Sequence, residues 1–168
     1  MSITAVIAAT LGFLLSQPAA LQQQAEPEPE TDHFETAIKI IKKYEGMSTP
    51  AHYPFVGHGH LVLPGEKFPR HRSLTVAEAD RLLRADLRKL IRMFNAYGKD
   101  SILLGVLAYN IGPGNVRRSA VLKKIAAGNR DIRQNYLRHT RHKGKVLPSL
   151  QRRRTEEFNT LYIPDTLS

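Results

Sequence analysis

The sequence predicts an α+β fold that is mostly α, with one small β element near the N-terminal end. Three features carry that expectation. Apolar residues recur at helical spacing from Phe34 and again from Ala79. Ser101–Gly112, SILLGVLAYNIG, is apolar nearly all round, as a central buried helix would be. Between the first two helices, HYPFVGHGHLVL mixes aromatic and β-branched residues with glycines, which suits a hairpin and no helix.

The elements follow in order. Ile3–Leu15 is uncharged and too short to span a bilayer, but it suits the core of a signal peptide, expected over residues 1–20. Residues 21–30 end in AEPEPE and read as a Pro/Glu linker, leaving 31–164 as the folded domain. Asp32 and Glu35 have capping-box spacing and place a helix start. Phe34, Ile38 and Ile41 then mark its inner stripe, and Glu45 falls on the same stripe at the helix end. A carboxyl there is partly desolvated, which favours the protonated form that a general acid needs.

Thr75-x-x-Glu78 is a second capping box. The helix after it turns Ala79, Leu82, Leu83, Leu87, Leu90, Ile91 and Phe94 inward, and Asp86 shares that stripe, so the aspartate requires a partner. Gly112–Asn115, GPGN, breaks the apolar helix. Short helices are expected over Ser119–Ala127 and Asp131–His139, RHTRHKGK reads as a basic loop, and a last helix opens at Pro148 or Ser149. In that helix Leu150, Phe158, Leu161 and Tyr162 are the candidate core contacts, while Arg152, Arg153 and Arg154 read as a solvated face or as partners for anionic groups.

The composition narrows the chemistry. With no cysteine there is no disulfide, thiolate metal site or thiol nucleophile. The net charge is +10, and the first 30 residues hold three Glu and no Lys or Arg, so the rest is more basic still. Such a field favours an anionic partner: nucleic acid, a membrane surface or a cell wall. His52, His58 and His60 invite a zinc reading. Against it, His58 and His60 lie two apart in the expected strand and carboxylates nearby are few, so no metal and no other cofactor is expected.

Taken in order, YEG after an amphipathic helix, GHGH, LTVAEADRLLRADL, LAYNIGPGNV, LKKIAAGN and GKVLPSLQRRRTEEF resemble the phage-type lysozymes and related endolysins over about residues 33–162. The resemblance implies a lysozyme-like fold: an N-terminal lobe with a small sheet, a long connecting helix and a helical C-terminal lobe. It implies a glycoside hydrolase that cuts the β-1,4 bond between N-acetylmuramic acid and N-acetylglucosamine in peptidoglycan. Glu45 matches the general acid, and His60 and Asp86 match a structural ion pair. The resemblance also puts Asn110 in a segment near the cleft, as a substrate-binding candidate that would hydrogen-bond an N-acetyl group or else cap the helix, and Tyr53 and Phe55 are candidates to stack on sugar or to fill the small sheet's core. The partner implied is peptidoglycan, bound by an exported monomer (periplasmic or extracellular) with no stable membrane span and no specific nucleic acid.

One departure is marked. The family's aspartate, nine residues after the glutamate, falls on Pro54, and its threonine, six further on, falls on His60. Aligned instead on Gly57-His58-Gly59-His60, the loop is about five residues shorter, and no Asp or Glu stands between Glu45 and Glu66. Three routes stay open: His52 or His58 activates water; the substrate's own N-acetyl group assists, as in lytic transglycosylases; or catalysis is lost and a cell-wall glycan binder remains.

Overall fold

The computed structural model describes residues 29–142 and 144–165. The expected signal peptide and most of the expected linker lie outside them. Helix α1 spans Pro29–Glu45 and so opens three residues before Asp32, within the expected linker. Proline suits the first turn of a helix because its missing N–H has no partner there in any case. The Asp32–Glu35 spacing therefore marks no start, and Glu35 instead binds Arg84 through both carboxylate oxygens.

A short 3₁₀ turn, Pro50–His52, follows. Strands β1 (Phe55–Val56) and β2 (His60–Leu61) pair antiparallel, with Val56 opposite His60. Helix α2 runs Val76–Met93, capped by Thr75 and Glu78 in reciprocal hydrogen bonds. After a 3₁₀ segment, Asn95–Asp100, helix α3 spans Ser101–Ile111 with Ser101–Ala108 all buried. The rest of the chain holds α4 (Pro113–Arg118), α5 (Ala120–Ala126, capped by Ser119) and α6 (Arg133–Leu137). A second hairpin, β3 (Arg141–His142) and β4 (Lys145–Val146), precedes α7 (Pro148–Leu161). Two of these elements differ from expectation. GPGN restarts a helix, because Pro113 sits in its first turn where proline is tolerated. The basic loop closes into the β3–β4 hairpin, whose turn includes Gly144.

Two apolar clusters make the lobes. Val56, Leu74 and Ala79 form the small one beneath the hairpin. The large one gathers α1, α3, α5 and α7 around Ile38, Ile41, Leu104, Leu107 and Phe158. Helix α2 joins them, giving Ala79 to the first and Leu83 and Leu87 to the second. Its 18 residues make a rod of roughly 27 Å.

The crossing of α2 and α3 depends on Gly105. A Cβ there would lie 2.7 Å from Ile91 Cγ1 and 3.2 Å from the Ile91 backbone nitrogen. Gly105→Ala is therefore expected to destabilise the fold by about 1–3 kcal/mol despite alanine's better helix propensity. A urea titration showing equal or greater stability would refute this.

Candidate active site

Glu45 is the last residue of α1, and its side chain is 24 % exposed at the edge of a groove between the lobes. The groove encloses about 380 Å³ and is lined by Glu45, Met47, Ser48, His52, Phe55, Gly59, Tyr109 and Asn110. Oxygen Oε1 of Glu45 accepts a hydrogen bond from Arg153 Nη1 at 2.6 Å. Its other oxygen faces Gly59, where an added Cβ would lie 3.4 Å from Oε2. Gly59 has φ +91°, which a side chain would strain, so this position keeps the backbone close to the carboxylate.

The sequence reads Arg152, Arg153 and Arg154 as a solvated face or as partners for anionic groups. Instead Arg153 and Arg154 are buried, and only Arg152 is exposed. Glu157, also buried, accepts from Arg153 Nε at 2.8 Å, Arg154 Nη2 at 2.9 Å and the Tyr136 hydroxyl at 2.8 Å. Arg154 Nη2 also reaches Asn110 Oδ1 at 3.3 Å. A signal for this burial exists in the sequence. Leu150, Arg153, Arg154, Glu157, Phe158 and Leu161 form one helical stripe, and three charges on an apolar stripe imply a paired cluster.

The other candidates separate. His52 lines the groove, and its Nδ1 accepts the Thr49 N–H at 3.0 Å. His58 is buried and does not line the groove; its Nδ1 donates to the Gly46 carbonyl at 2.5 Å. The Tyr109 hydroxyl donates to the His58 carbonyl at 2.9 Å, tying the end of α3 to the hairpin. Tyr53 closes the 3₁₀ turn and precedes the strand that Phe55 opens. It packs against the Arg70 guanidinium, 4.6 Å from the ring centroid, and lines a neighbouring cleft. Phe55 is 47 % exposed in the groove wall, so neither aromatic fills the small core.

His60 stands apart from the groove. Its Nδ1 is 2.6 Å from Asp86 Oδ2 and its Nε2 is 2.9 Å from Glu66 Oε2. Carboxylates only accept, so both nitrogens are satisfied at once only in the doubly protonated ring. Burial opposes that charge, but hydrogen bonds to Glu66 and Asp86 outweigh it and hold the His60 pKa above its ordinary 6.5. The Leu63 backbone N–H, and then His60, lower that of Glu66. The histidine's contribution is thus complete below pH 6.5 and fades as pH rises through the raised value; that of Glu66 is present above 4.5 and fades as pH falls through its lowered one. The Asp86 side chain is 24 % exposed, so the full cost of breaking a buried pair does not apply. Asp86→Asn is expected to cost about 1–3 kcal/mol at pH 5, and less at pH 8.5. Equal melting temperatures for variant and wild type at pH 5 would refute it.

Comparison with known proteins bears on the family and the fold. The phage lysozyme family model matches residues 42–157, from the end of α1 to Glu157. An endolysin of Bacillus phage B103 is 28 % identical, with 77 % of this chain and 53 % of that protein covered. A SAR-endolysin of Enterobacteria phage P21 is 35 % identical, covering 51 % and 56 %. The chain thus spans about half the length of these relatives. Among solved structures, the muramidase domain of SpmX from Asticaccaulis excentricus superposes with a TM-score of 0.61 at 25 % identity, covering 77 % of this chain and 96 % of that one. An endolysin from Escherichia coli O157:H7 phage FAHEc1 superposes with a TM-score of 0.60 at 24 % identity, covering 77 % and 94 %, a likeness of fold. With the family match running through both walls of the groove, the chain belongs to the phage lysozyme family.

Proposed function

We propose that the protein is a peptidoglycan hydrolase of the lysozyme type, cutting the β-1,4 bond between N-acetylmuramic acid and N-acetylglucosamine. The observation that carries this reading is Glu45, held at the edge of an inter-lobe groove with one oxygen on Arg153. Arg153 donates to Oε1, so the transferable proton belongs on Oε2, beside Gly59. From there Glu45 protonates the leaving glycosidic oxygen as the sugar gains oxocarbenium character. The groove falls in the size range of small-ligand sites, and Phe55, Tyr109 and Asn110 supply apolar and polar contacts for a glycan.

The basic surface supports an anionic wall as the partner. Arg81, Arg88, Lys89 and Arg92 are exposed on α2. No helix among the described residues is long and apolar enough to cross a membrane. We place the site of action in the periplasm or outside the cell, where peptidoglycan is met. A second reading is a glycan binder that does not cut, favoured by the lack of a second carboxylate among the described groove residues. Purified wall suspensions distinguish the two. Clearing with release of sugar ends supports the hydrolase, and wall binding without release supports the binder.

A further inference from the structure

A glycosidase needs a second group besides its acid, to meet the positive charge that grows at the sugar's C1. Candidates in this groove are few. Among the described residues, the polar side chains lining it are Glu45, Ser48, His52, Tyr109 and Asn110. The other carboxylates with described side chains are engaged elsewhere, Asp32 excepted. Glu66 and Asp86 hold His60, Glu35 and Asp80 hold Arg84, and Glu157 is enclosed by Arg153 and Arg154. The rest pair with Lys43, Arg72, Lys99, Lys124 and Arg130. Asp32 lies thirteen residues before Glu45 on α1, roughly 20 Å along the helix.

The remaining groove groups are poor bases. His52 Nδ1 accepts the Thr49 N–H, so the neutral ring carries its proton on Nε2 and presents a donor. The Tyr109 hydroxyl already donates to the His58 carbonyl, and burial, with Asp86 and Glu45 nearby, holds its pKa above the ordinary tyrosine value. Serine hydroxyls and asparagine amides do not take up a proton near neutral pH.

We infer that the second catalytic group is brought by the substrate: the carbonyl oxygen of the 2-acetamido group on the sugar whose bond is cut. This rests on the hydrolase reading above and deepens it. Glu45 Oε2–H gives its proton to the glycosidic oxygen while the C1–O bond breaks. The acetamido oxygen bonds to C1 from the opposite face, forming a cyclic oxazolinium. The leaving sugar departs as a neutral alcohol, and the ionised Glu45 is stabilised by Arg153. Water then adds to C1 from the face the leaving sugar vacated, passes its proton back to Glu45, and the acetamido oxygen leaves. One water is consumed and the β configuration is retained. If the sugar's own O6 hydroxyl adds in place of water, it gives the same proton to Glu45 and a 1,6-anhydro ring results.

The test uses the full chain on soluble peptide-free glycan strands and reads the new ends by proton NMR within minutes, before the anomers equilibrate. The β reducing end or the 1,6-anhydro ring is expected. An α reducing end formed first means direct attack by water and overturns the inference while leaving the hydrolase reading intact. Strands de-N-acetylated and then N-trifluoroacetylated give a second readout, because the fluorines weaken the carbonyl oxygen as a nucleophile. With them kcat is expected to fall at least ~10²-fold, the scale of losing one catalytic group, with KM changed only a few-fold. An unchanged kcat also overturns the inference. If native strands are not cut at all, the hydrolase reading fails and the inference falls with it.

Discussion

Glu45→Gln is expected to clear bacterial walls at least ~10²-fold more slowly than the wild type, the lower range for losing a general acid. The fold should survive. Glutamine keeps an oxygen that can accept from Arg153 Nη1, and Arg153 retains its bond to Glu157. A melting temperature close to that of the wild type, with wall binding intact, therefore accompanies the loss of clearing. Glu45→Asp should also be impaired although it can still carry a proton. Its carboxyl is withdrawn by one carbon–carbon bond, about 1.5 Å, and misplacement by about 1 Å can cost ~10²-fold. Wild-type clearing by Glu45→Gln would remove Glu45 from the chemistry and the hydrolase reading with it.

Much of this was legible in residue spacing. The Thr75–Glu78 box starts α2 where it should, and the uniform apolarity of Ser101–Ala108 is that of a buried helix. Asp86 on an apolar stripe announced a partner, and His60 stands beside it. The second carboxylate on His60 was not legible, because Glu66 reaches it from a loop with no period to read. The start of α1 was missed because a proline and glutamates suit a helix's first turn as well as they suit a linker. The largest misreading was the arginine run. Three consecutive arginines look like solvent-facing charge, yet two of them alternate with Leu150, Glu157 and Phe158 on the inner side of α7. The stripe logic that singled out Asp86 applies equally there. The contact between Glu45 and Arg153 joins residues 108 apart, so only the assembled fold brings it about.

That cluster predicts the largest effect on stability. Glu157→Ala is expected to cost about 3–5 kcal/mol, because it leaves two buried guanidinium groups without their shared counter-charge. For a chain of this length that lowers the melting temperature by roughly 6–20 °C. The cluster has little reserve: Arg153 Nη2 and Arg154 Nε and Nη1 are already buried without a hydrogen-bond partner among the described residues. A change of under ~1 kcal/mol would show that Glu157 does not neutralise them. A combined replacement separates stability from function. Changing Arg153 and Arg154 to Met and Glu157 to Leu removes every charge of the cluster on α7 at once. Replacing a buried ionic triad with apolar residues of similar volume is often neutral or stabilising, so most of the lost stability should return. Wall clearing should not return, because Glu45 then ionises without Arg153 to receive its charge. A stable triple variant with full clearing would mean that the buried arginines serve the fold alone.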